Sequence, residues 1–250
     1  MSEWHERISF HSQGEVLSID CLIRKSIRAR KIGLRLTGVG RVVLTLPQWA
    51  SLSTGKDFLF QQEKWIRSKS NGYSEPISLS QFYSTGEKIW LDSTPREIIC
   101  SMSSNRTQTG HRVEGDKVQI FTSDAKDPEI ELLEASLLLG REFLPKRLKK
   151  CETKSGLKAE KCRVGNQRSR WGSCSTKRTI SLNWRILILP YELGDYVLFH
   201  ELAHLNHMNH STQFWDFLET LVPHAKKVDR ELSRLGKSVF AIGQTVGKHN

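Results

Sequence analysis

An α+β fold is predicted for this 250-residue chain by three observations. Apolar residues recur at every second position through much of the first 125 residues. The period changes near Lys126, and the last third is punctuated by helix starts and stops. The division drawn from this is a β-rich N-terminal region over 1–125 and a helix-rich region over 126–250 with at least one strand.

The elements follow in order. VLSIDCLIRKS, ARKIGLRLTG and RVVLTLP read as strands separated by polar or glycine punctuation, with Pro47 closing the set. TGKDFLFQQEKWIRSK (54–69) reads as a helix anchored by Phe58, Leu59, Trp65 and Ile66, and 71–85 as a loop. GEKIWLDSTPREIICSM and GDKVQIFTS return to strands, with SSNRTQTG between them as a turn or loop. Asp127, Pro128 and Glu129 form a helix start: a cap, a proline in the first turn and an early acid. Pro145 is expected to kink or divide that helix. TISLNWRI alternates as a half-buried strand, and Pro190 opens a helix over YELGDYVLFHELAHLNH. Ser211 caps the next helix, Pro223 ends it, and a last helix is expected to finish at Gly236.

Composition bounds the function. Hydrophobic residues make up 38% and charged residues 26%, ordinary for a globular protein, and no apolar run reaches the length of a membrane span. MSEWHERISF has no apolar stretch behind a basic start, and the five cysteines are scattered without CxxC spacing. Both point to a cytoplasmic location. The net charge of +11 is concentrated. Residues 21–56 hold eight Lys/Arg and no acid, and 141–170 hold eleven against Glu142, Glu152 and Glu160. Such stretches attract nucleic acid or acidic partners, although charge alone specifies neither.

Chemistry concentrates in HELAHLNHMNHS, residues 200–211. Helical residues four apart stand one above the other, so His200 and His204 can direct ring nitrogens at one Zn²⁺. Glu201 lies off that stripe, where a carboxylate can take a proton from a water acidified by the metal. An HExxH with a further histidine at a fixed offset arises by chance in roughly one such chain in a thousand, so the metal reading outweighs a surface pair. His210 is the favoured third ligand, because a turn through Asn206–Asn209 in the left-handed conformation would bring it back to the metal. Asp216, Glu219, His224 and Glu231 remain alternatives at this point. His207 reads as a surface residue or a support of the ligands.

RSRWGSCS (168–175), ISLNWRILILP (180–190), YVLFHELAHL (196–205) and NHSTQFW (209–215), in that order, resemble the YgjP-like metallopeptidase domain family. That family is a zincin group related to SprT-like and WLM-type proteases. RKSIRARKIGLRL and QEKWI resemble its N-terminal half. The resemblance implies a zincin-like helical catalytic region, one zinc per chain held by His200, His204 and His210, Glu201 as general base, and a peptide or protein substrate. The spacing is also similar to that of metzincins, but His207 stands where those have glycine and no methionine follows Met208.

The Gly-Ser turn of RSRWGSCS and the strand after it supply candidate substrate-binding residues: Arg168, Arg170, Ser173 and Asn183. They would hold a substrate carboxylate or steady an oxyanion, and the edge of ISLNWRI would accept an extended peptide. The same segment could instead pack as core; Cys174 could be a fourth zinc ligand in a resting state, but a small buried residue is the favoured reading. Three function classes follow: a zinc metallopeptidase, a nucleic-acid-associated protease of SprT-like type, and a zinc-binding module without catalysis. Glu201 favours the first, since a purely structural site has no use for a base there.

Overall fold

The computed structural model describes residues 3–12, 15–38, 40–70, 76–102, 109–123 and 127–244. The chain divides into two compact units, Met1–Pro76 and Ile77–Asn250. The boundary drawn at 125/126 from sequence periodicity thus falls inside the second unit. The reason is packing: Ile98, Val118 and Ile120 of its strands share one core with Leu132, Leu139 and Leu144 of the helix that follows.

The first unit is a four-stranded sheet, β1 (Glu3–Ser12), β2 (Glu15–Lys25), β3 (Gly33–Gly38) and β4 (Arg41–Leu46), in the order β1-β2-β4-β3. Strand β1 is absent from the sequence expectation because, among its residues of described burial, only Ile8 and Phe10 are buried, too few to register as alternation. Two helices follow, α1 (Leu52–Gln61) and α2 (Glu63–Ser70), where one was expected; the break falls at Gln62. Helix α1 lies close on the sheet at Gly55, where a Cβ would stand 2.7 Å from Leu46 Cδ2.

The second unit opens with α3 (Leu79–Ser84), capped by the Ser78 side chain, inside the segment expected to be a loop. Its first sheet, β5 (Lys88–Trp90), β6 (Pro95–Met102), β7 (Gly110–Glu114) and β8 (Lys117–Thr122), has the order β5-β6-β8-β7. In both units two antiparallel hairpins join through a parallel pairing of their second and fourth strands. This repeated topology leaves no detectable repeat in the sequence. Most of the expected turn SSNRTQTG lies outside the described residues.

Helix α4 (Pro128–Ser155) begins as predicted, with Asp127 accepting from the Glu129 N–H, and ends at Gly156 in the left-handed conformation. It continues through Pro145 as one helix, so the proline does not divide it; buried Leu144, Arg147 and Leu148 pack around that point. Gly140 lets it approach β9 (Lys161–Gly165), and Arg147 reaches out of its buried face. That guanidinium pairs with Asp195 at 2.8 Å and donates to the Trp90 and Tyr191 carbonyls. Helix α4 is thereby fixed to the first turns of α5 (Tyr191–Ala203).

A small sheet of β9, β10 (Gly172–Cys174) and β11 (Thr179–Asn183) has the order β10-β11-β9. The expected strand TISLNWRI stops at Asn183, and Trp184–Leu187 turn into a 3₁₀ helix. Since β11 is central, both its edges are occupied, and it cannot receive a peptide as anticipated. Helices α6 (Thr212–Leu221) and α7 (Ala225–Ala241) complete the unit. Gly236 does not end α7; the helix continues for five residues past it, and Trp171 packs against the glycine.

Candidate metal centre

Helix α5 is buried around nearly its whole circumference, which places its polar residues under strict demands. His200 and the C-cap residue His204 project from one side of its last turn. Beyond His204 the chain leaves the helix through bonds from the Leu205, Asn206 and His207 N–H groups back to the Leu202 and Ala203 carbonyls. No left-handed asparagine is used: among the described residues only Arg178 and His224 have positive φ outside glycine. Asn209 acts through its side chain instead, its Oδ1 accepting from the Ser211 N–H. The short turn returns His210 to the other two histidines.

The ligand-type nitrogens of His200, His204 and His210 lie within 4.8 Å of one another, the only such group of three among the described residues. His200 Nε2 and His210 Nε2 are 3.0 Å apart. A tetrahedral zinc with Zn–N bonds of about 2.0–2.1 Å separates its nitrogens by roughly 3.3 Å, so this spacing suits a shared ion. Asp216, Glu219, His224, Glu231 and Cys174 take no part in the group.

The protonation chemistry agrees. Burial, then the neighbouring His204 and His210, push the His200 pKa down to about 3. Burial likewise lowers that of His204, partly offset by its bond to the His207 carbonyl. Both shifts favour the neutral imidazole at His200 and His204, the form that has a lone pair to give. His204 Nδ1 donates to the His207 carbonyl at 2.9 Å, which leaves Nε2 as the free acceptor. The role of His207 thus lies in its backbone. Phe214 of α6, fully buried, touches all three rings: it stacks on His204 at 4.6 Å and meets His200 and His210 edge-on at 5.0 and 4.8 Å. Its helical apolar pattern marked it only as core.

Glu201 is 5% exposed and its Oε2 has no hydrogen-bond partner. Burial raises its pKa to about 8, with the Arg170 guanidinium drawing it partly back. Directly against it runs β10: a Cβ on Gly172 would lie 2.6 Å from both Cγ and Oε1 of Glu201. The glycine of RSRWGSCS therefore exists so that the strand can pass over this carboxylate.

A cleft of ≈ 230 Å³ opens here, lined in part by Arg170, Gly172, Tyr196, His200, Glu201 and Asp229. Of the candidate substrate residues, Arg170 lines it, whereas Arg168 and Ser173 do not. Asn183 is corrected: it is fully buried, its amide donating to the Gln167 and Arg170 carbonyls at 2.7 and 3.0 Å and its Oδ1 accepting from the Arg185 N–H. Asn183 holds the loop that leads into β10, and no substrate can reach it.

Residues 30–235 match the family described as YgjP-like, metallopeptidase domain. No curated protein matches the chain. Among solved structures, the chain is similar to the metallopeptidase zymogen of Pyrococcus abyssi, abylysin, at 30% identity. That match covers 38% of this chain and 96% of the other, with a TM-score of 0.34.

Proposed function

The chain belongs to the YgjP-like metallopeptidase domain family, and from that premise we propose that it is a zinc-dependent peptidase with His200, His204 and His210 as ligands and Glu201 as general base. One observation carries the reading: three imidazoles converge beside a buried carboxylate that has an unsatisfied oxygen. When bound, zinc would supply Lewis acidity and a water whose pKa is lowered to about 7. The chain's own residues supply the rest. Glu201, whose pKa burial raises, stands beside the histidines as the carboxylate that would take up and release the proton. Gly172 and Phe214 hold the carboxylate and the imidazoles in place. The outer edge of β10, terminal in its sheet, is where an extended peptide would pair, with Arg170 at its entrance.

The five cysteines are all free, which suits a reducing, cytoplasmic setting. Among the described residues no helix is long and apolar enough to cross a membrane.

Metal content by mass spectrometry, paired with cleavage of an unfolded protein substrate, tests the proposal. Wild type and Glu201→Gln should each hold about one zinc, only the wild type should cleave, and His210→Ala should lose the metal. Full cleavage by Glu201→Gln would refute the assignment of the base. Equal zinc in all three would place the third ligand elsewhere.

A further inference from the structure

Three elements wall the cleft beside Glu201: α5, the β10 side with Arg170 and Gly172, and α7, which contributes Asp229 and Ser233. Asp229 is held in place. Its Oδ1 accepts a hydrogen bond of 3.0 Å from the hydroxyl of Tyr196, a residue 1% exposed and one helical turn before His200. Burial and the adjacent carboxylate raise the Tyr196 pKa, so the phenol remains a donor. The bond ties the α7 carboxylate to the helix that carries the histidines. No lysine or arginine among the described residues pairs with Asp229, so its charge is left for whatever enters the cleft.

We propose that Asp229 is a specificity-determining residue that selects substrates with a basic side chain close to the scissile bond. This rests on the peptidase reading above and adds the substrate class. An anchored carboxylate in a half-enclosed cleft favours an ammonium or guanidinium partner through a charge-assisted hydrogen bond. The global field cannot supply such a preference, because a net charge of +11 steers acidic molecules toward the protein. Basic selectivity would therefore be local, and removable at one residue. Arg170 is not equivalent, since its charge already acts on Glu201.

The test uses zinc-loaded protein and a peptide series in which one position on either side of the cleaved bond carries Lys, Arg, norleucine or Glu. For wild type, kcat/KM should favour Lys or Arg over norleucine by roughly tenfold to a hundredfold at one position, the range of one hydrogen bond to a charged group. Asp229→Asn keeps the shape and an acceptor for Tyr196, and should bring that ratio close to one. Asp229→Lys should turn the preference toward Glu. Binding of the same peptides to Glu201→Gln, followed by fluorescence anisotropy, provides a readout independent of turnover. Cleavage and binding that ignore the basic residue, or a ratio unchanged in Asp229→Asn, would overturn the assignment of Asp229. If no peptide is cleaved, the peptidase reading fails, and the binding ratio alone decides whether the cleft selects a cation.

Discussion

Alanine at position 172 is the sharpest test of how the candidate base is held. Gly172 does not have a positive φ, so alanine can adopt its backbone conformation and the effect reports contact alone. The added Cβ would stand 2.6 Å from Glu201 Cγ and Oε1, and 2.7 Å from Cδ. Nonbonded carbons settle at about 3.5–4.0 Å, so the strand and the carboxylate must separate by roughly 1 Å. Neither yields easily. Strand β10 is paired to β11 over Gly172–Cys174, and the Asn183 N–H donates to the Trp171 carbonyl at 2.7 Å. Glu201 sits on a buried helix. Overpacking of this kind costs about 1–3 kcal/mol. A 1 Å displacement of a reacting group costs about a hundredfold in turnover. The three atoms nearest the added Cβ all belong to Glu201 rather than to a histidine, so zinc content should remain at the wild-type level. Thermal unfolding, metal analysis and peptide hydrolysis on Gly172→Ala separate the effects. Wild-type turnover at wild-type stability would refute the claim that β10 positions Glu201. Lost zinc would show instead that the whole centre had collapsed.

Further predictions concern the framework. Arg147→Ala should lower stability by about 3–5 kcal/mol in denaturant unfolding, because it strands the largely buried Asp195; a loss below about 1 kcal/mol would show that α4 is not fixed to α5 through this pair. Asn183→Ala should cost about 2 kcal/mol or more, as the Gln167 and Arg170 carbonyls and the Arg185 N–H lose their partners; an unchanged midpoint would mean that the loop holds itself. The Asp92 carboxylate, bound through both oxygens by Arg96, titrates below its ordinary range chiefly because of that hydrogen bonding. A depressed folded pKa contributes stability above the unfolded value of about 3.9 that fades as pH falls through the folded one. The Tm gap between wild type and Asp92→Asn should therefore be full at pH 6 and narrow below about pH 4; a constant gap would contradict it.

Reading the chain residue by residue recovered what depends on near neighbours. Helical periodicity alone stacks His200 over His204 and sets Glu201 to one side, so these positions were legible before any fold was known. The caps at Asp127 and Ser211 were legible for the same reason, since each bonds within three residues. His210 was half legible: its offset suggested a return, but the turn relies on backbone bonds and the Asn209 side chain rather than on a left-handed asparagine. Pro145 does not divide α4 and Gly236 does not end α7, because tertiary packing carries both helices past residues that would end them in isolation.

The remainder was decided by contacts between residues far apart in the chain. Nothing local to Gly172 announces that Glu201 lies beneath it, nor does the apolar face of α6 reveal that Phe214 backs three imidazoles. Asn183 looked like a polar residue on an open strand and is the buried clasp of a loop. By itself the sequence determined which donors the centre has, because ligand spacing follows from the helical repeat. Only the tertiary structure decided how they are held, since the strand, the helix faces and the carboxylate across the cleft meet through packing that no short stretch encodes.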